Sequence, residues 1–72
     1  MKKLSKAKFN KMMFVCNYPP CGKILDAKSL VRREEDNRMV CTCDRHSNAY
    51  GIELGTYNKV WQDDRGKYAI SG

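Results

Sequence analysis

Long apolar runs are missing from this chain. No stretch is long and uncharged enough to cross a membrane, and the basic N-terminal MKKLSKAKF leads into no uninterrupted apolar segment of the secretory kind. Neither membrane insertion nor export is expected. The expected location is intracellular, the nucleus in a eukaryotic cell and the cytoplasm otherwise. Histidine is nearly absent, His46 being the single example, and the acids are scattered. That set offers no nucleophile–base pair, so no enzyme, no catalytic residue and no small-molecule substrate is expected. Asp63 and Asp64 read as the tip of a turn rather than as magnesium ligands. Internal repeats and low-complexity tracts are also lacking, so one irregular unit is expected rather than an array.

Size is the second shortage. Seventy-two residues make at most one domain, and a core of that length rarely supplies more than about 3–5 kcal/mol. A staple is expected, and four cysteines are available for it. They fall into two close pairs, Cys16/Cys21 and Cys41/Cys43, as metal ligands from two turns do. In a reducing compartment structural disulfides seldom persist, so the pairs read as one metal site rather than as two bridges.

The spacing is C-x4-C, nineteen residues, then C-x-C-x2-H. Structural zinc takes four thiolate or imidazole ligands in a tetrahedron, commonly from two short clips. Cys16 and Cys21 form the first clip, lengthened by Pro19-Pro20. The second clip offers three candidates for two places: Cys41 with Cys43, or one of them with His46. A closed, thiolate-rich site leaves no position for an activated water, so its role is structural. Sulfur-rich tetrahedral sites also accept iron, but zinc is the expected metal.

Acid is absent from the first eleven residues, which hold Lys2, Lys3, Lys6, Lys8 and Lys11. These account for five of the fourteen Lys/Arg, leaving nine against eight Asp/Glu in the rest. The formal charge of +6 is therefore concentrated at one end, and charge alone does not establish nucleic-acid binding. Residues 1–9 read as a basic flexible arm and residues 10–72 as the zinc-binding domain.

Within that domain KMMFV (11–15) reads as a strand entering Cys16. Asn17-Tyr18-Pro19-Pro20 is a turn, because two prolines fix φ and lack amide donors. Gly22 stands where a metal knuckle needs a residue tolerant of positive φ. Ile24-Leu25 and 29–33 read as extended chain returning through 38–41, with Glu34-Glu35-Asp36-Asn37 as the turn between. Asp44 to Tyr50, ended by Gly51, reads as a short helix with an acid at its start and glycine at C′. A second hairpin is expected from 56–61 and 67–70 around Asp63-Asp64-Arg65-Gly66. The fold class is thus a small, metal-stabilised α+β unit of β-hairpins and one short helix.

The stretch CTCDRHSNAYG (Cys41 to Gly51) resembles the C-x2-C-x-R-H-x3-Y-G element near the zinc-binding tail of some fungal SET-class histone methyltransferases. More broadly, a knuckle, a hairpin, a second knuckle and a short helix is similar to the GATA-type zinc finger, of the treble-clef class; a zinc ribbon is the neighbouring alternative. The likeness covers Cys16 to Gly51. The first clip has four intervening residues and the second one, where the family has two in each. Leu30-Val31-Arg32-Arg33 stands where the family's hairpin carries Trp-Arg-Arg. The resemblance implies a finger from a chromatin-associated protein, with Cys43 as ligand and His46 not.

Two functions follow as expectations. One is nucleic-acid or chromatin binding, DNA and transcription included. It would use the five N-terminal lysines, Arg32 and Arg33 of the hairpin, and Arg45, Asn48 and Tyr50 of the helix, with the arginines and lysines on phosphates. Tyr18, Tyr57 or Trp61 would stack on exposed bases. The other is protein interaction, through aromatic residues and strand edges of the C-terminal hairpin, with a histone tail, transcription machinery or a host protein as partner. For each residue the plainer role is Tyr50 and Trp61 as core, and Arg32 and Arg33 as a solvated surface.

Overall fold

The computed structural model describes residues 2–43, 47–53 and 55–71. The chain opens with β1 (Lys2–Leu4) and a one-and-a-half-turn helix α1 (Lys6–Lys11). Ser5 caps the helix, its hydroxyl accepting from the Lys8 amide at 3.1 Å, and Met12 leaves in extended conformation. This corrects the expectation of a flexible arm over 1–9. The few apolar residues there decide the outcome: Leu4 and Phe9 are both buried in the core, and β1 pairs with the last strand.

β2 (Met13–Cys16) follows, then β3 (Ile24–Leu25), a 3-10 turn at Ala27–Ser29, and β4 (Leu30–Arg32) paired with β5 (Met39–Cys41). Asp26 holds the 3-10 turn by accepting from the Ser29 amide at 3.2 Å and its hydroxyl at 3.0 Å. The hairpin stands where the sequence put it. Asn37 takes φ 60° at its tip, a conformation that asparagine tolerates, and the Asp36 carboxylate accepts from the Arg38 amide at 3.1 Å. The Arg33 guanidinium beside Asp36, with that amide, holds its carboxyl down at about 2.

β6 (Ala49–Glu53), β7 (Thr56–Gln62) and β8 (Tyr68–Ile70) complete the chain. The second hairpin is as expected. The helix expected over 44–50 is not: Ala49, Tyr50 and Gly51 lie in β6, paired with both β2 and β7, while 44–46 lie outside the described residues. Long-range pairing outweighs the acid and glycine signals, and Gly51 serves packing instead of a helix end. A β-carbon there would stand 2.5 Å from Met12 Cε, 3.2 Å from Val60 Cγ2 and 3.4 Å from Phe14 Cε1.

The strands form a six-stranded antiparallel sheet in the order β1-β8-β7-β6-β2-β3, beside the two-stranded β4-β5. One sheet face carries Leu4, Phe14, Cys16, Ala49, Val60 and Ile70, all buried. Phe9 of α1 lies against it, stacked on Tyr68 at 3.8 Å between ring centroids and tilted on Phe14 at 5.1 Å. Leu30, Met39 and Cys41 join the same core.

The alternate residues of each strand fall on the opposite face. The register aligns them in rows: Ile24, Val15, Tyr50 and Lys59; then Met13, Ile52 and Tyr57; then Trp61, Ala69 and Lys3. Among the described residues, the fold is a small α+β unit of mainly antiparallel strands, with one short helix and a cysteine cluster able to take a metal.

Candidate metal centre

Cys16 closes β2, where its amide donates to Lys23 O at 3.1 Å and so draws the chain back past the turn. Pro19-Pro20 forms that turn. The amides of Cys21 and Gly22 both donate to Tyr18 O, at 2.8 and 3.0 Å, and Gly22 adopts φ 58° as the knuckle reading expected. Cys43 arrives from the other side, two residues past the end of β5, beyond Thr42, whose amide donates to Ser29 O at 3.0 Å.

The sulfurs of Cys16, Cys21 and Cys43 all lie within 4.8 Å of one another. Cys43 Sγ stands 3.4 Å from Cys16 Sγ and 3.5 Å from Cys21 Sγ. A disulfide needs about 2.05 Å, and all four cysteines are free thiols. Ligand sulfurs about 2.3 Å from a tetrahedral zinc stand about 3.8 Å apart, so the group is spaced for coordination rather than for a bridge. These three cysteines could hold a metal ion.

Cys41 sits beside that group and outside it. It ends β5 fully buried, with its thiol 3.8 Å from Asn48 O. It and Cys16 are close enough to shift each other's titration. β5 stops at Cys41, and Cys43 lies in the following turn. His46, the alternative fourth ligand, lies outside the described residues.

The thiols answer differently to their surroundings. Hydrogen bonds to Cys16 and Cys21 push Cys43 up to about 11. Burial pushes Cys16 and Cys41 up. Cys21 is lowered, chiefly by the Lys23 amide and then by Cys43. Three neighbouring thiols cannot all ionise without a cation among them.

The residues expected to touch nucleic acid divide in two. Arg32 turns inward: its Nε donates to Gln62 O at 3.1 Å, and its Nη2 meets Asn37 and Asp64. Arg33 is held by Asp36 and by Asn48 Oδ1 at 3.3 Å, which engages Asn48 as well. Lys8 pairs with Glu53. Lys2, Lys3, Lys6 and Lys11 are exposed, Arg45 lies outside the described residues, and Tyr18 is exposed near the cysteine knuckle.

Lys59 was assigned no role from the sequence, yet it lies in the middle of a strand whose outward residues are Tyr57, Lys59 and Trp61. The period-two alternation of TYNKVW was the available signal. In comparisons with known proteins, no family model, no curated protein and no solved structure matches this chain.

Proposed function

We propose that this chain is a non-catalytic module, clamped by one zinc ion on Cys16, Cys21, Cys41 and Cys43, that binds nucleic acid through its lysine-rich surface. The convergence of three free thiols within 4.8 Å from two separate stretches of chain carries the metal reading. Zinc suits a thiolate-only donor set, and four protein ligands close the site to water, which is why the role assigned is structural. Cys41 is the proposed fourth ligand because its thiol is already beside Cys16 and its burial would keep the site dry. A structural zinc of this type contributes on the order of 10–16 kcal/mol of apparent binding energy, which exceeds what so thin a core supplies.

Support for nucleic acid comes from Lys2, Lys3, Lys6 and Lys11, exposed on β1 and α1 in a segment without acids. A second reading, protein interaction, is favoured by a different observation: Met13 and Ile24, at 49% and 62% exposure, lie at the β3 edge of the sheet.

Native mass spectrometry with and without chelator tests the first part. One zinc per chain is expected, and sulfurs oxidised in pairs, or no ion, would end the metal reading. Titration with oligonucleotides at rising salt tests the second. Affinity should fall as salt rises, and the absence of binding by the metal-loaded chain at low salt removes nucleic acid in favour of a protein partner.

A further inference from the structure

Resting on that nucleic-acid reading, we propose that the solvent-facing side of the six-stranded sheet is a stacking platform for single-stranded nucleic acid. Tyr57, Tyr50 and Trp61 receive the bases, and Lys59, Lys3 and Lys67 meet the phosphates.

The arrangement follows from register. Tyr57, Lys59 and Trp61 alternate along β7 and so share one face. Tyr50 is the direct cross-strand partner of Lys59 in β6. Lys59 thus has an aromatic ring before it, after it and beside it, with Tyr57 and Trp61 about 14 Å apart at roughly 3.4 Å of rise per residue. Tyr57 is 67% exposed, although burial of an aromatic ring is the ordinary outcome. Arg38 holds the indole of Trp61, its guanidinium 5.5 Å from the ring centroid.

Depressions lie at both ends of this row. One, of about 630 Å³, is lined by Trp61, Ala69, Lys3 and Lys67, a volume in the range of small-ligand sites. The other, of about 330 Å³, is lined by Tyr50, Tyr57, Val15 and Asn17 and borders the metal site at Cys16.

Charge selects the occupant. Among the described residues, the outward positions of the six strands include Lys3 and Lys59 and no carboxylate. The two acids that line the larger depression are already engaged. Asp36 is held by Arg33, and Asp63 accepts from the amides of Arg65 and Lys67, both at 2.9 Å. Aromatic faces interleaved with cations suit unpaired bases on a phosphate chain. A duplex hides those base faces in its stack and presents grooves that a broad sheet face does not enter.

The test uses the full, metal-loaded chain and oligothymidylate. Trp61 is the single tryptophan, so its emission reports on this face alone. Binding should quench it, and the slope of log affinity against log salt should be near about −2 for three phosphate contacts. Tyr57→Ala, at an exposed position and with unchanged melting, should weaken binding about 5- to 150-fold. Lys59→Gln should make the salt slope shallower by about 0.7, whereas Lys28→Gln, an equal loss of charge on the 3-10 turn, should leave binding and quenching intact.

Binding that survives Tyr57→Ala unchanged, or that is equal for duplex and leaves Trp61 unquenched, overturns the platform while nucleic-acid binding stands. No binding to any oligonucleotide removes both. Concentration-dependent self-association that quenches Trp61 without oligonucleotide assigns the face to protein and also overturns the proposal.

Discussion

Gly51 shows how much one missing side chain can carry in a thin core. Met12, Val60 and Phe14 converge on the space its β-carbon would fill. Gly51→Ala should therefore destabilise by about 1–3 kcal/mol, the usual cost of overpacking. Because Met12 Cε makes the closest approach, the penalty should shrink in a Met12→Ala background. A double-mutant cycle read by thermal melting gives that coupling directly.

The cysteines make a second prediction at this scale. Cys43 is held at about 11 by its sulfur neighbours, and burial raises Cys16 and Cys41, so these thiols are protonated at neutral pH before a metal arrives. Metal binds the thiolate, and each proton it displaces weakens binding as pH falls. Apparent zinc affinity should rise with pH, and more than one proton per ion should be released, as measured by calorimetry in buffers of differing ionisation enthalpy.

Among the elements, β1 and α1 matter most for interpreting experiments. The lysines of this segment invite its removal as a dispensable arm, but Leu4 and Phe9 are core residues and β1 occupies one sheet edge. Phe9 touches both Tyr68 and Phe14. Phe9→Ala should cost about 3–5 kcal/mol, and deletion through Lys11 should abolish cooperative melting. A loss of nucleic-acid binding after that deletion would report unfolding, so charge-to-glutamine substitutions at exposed Lys2, Lys3, Lys6 and Lys11 are the proper probe. The β4-β5 hairpin is tied to the far end of β7 in a comparable way, through Arg32 to Gln62 O and to Asp64 of the following turn. That role explains why an arginine legible as a phosphate contact is spent on the fold.

For the whole molecule, the decisive question is whether the sheet or the proposed ion supplies cohesion. The cysteine cluster draws the end of β2 and its following turn together with the turn after β5, and so joins the large sheet to the small one. Chelation should lower the melting temperature and broaden the transition. Cys41→Ser should reduce metal stoichiometry or affinity as severely as Cys43→Ser if Cys41 completes the site. His46→Ala should leave stoichiometry at one ion per chain, which native mass spectrometry reads out.

The sequence by itself determined the features that depend on neighbours along the chain. Prolines 19 and 20 with Gly22 fixed the knuckle, Asp36-Asn37 fixed the first hairpin tip, and the Asp63–Gly66 turn fixed the second, because turn chemistry is local. The pairing of the cysteines likewise pointed to a group that could hold a metal ion. Tertiary structure decided everything that required distant strands to meet. It turned 49–51 from an expected helix end into β6, drew residues 2–11 into the core, and gathered Cys43 rather than Cys41 into the three-sulfur group. It also aligned Tyr50 with Lys59, nine residues on in the chain, to make a face from residues that read as unrelated. Strand register is a long-range choice, fixed by which side chains the core accepts, and no window along the sequence contains it.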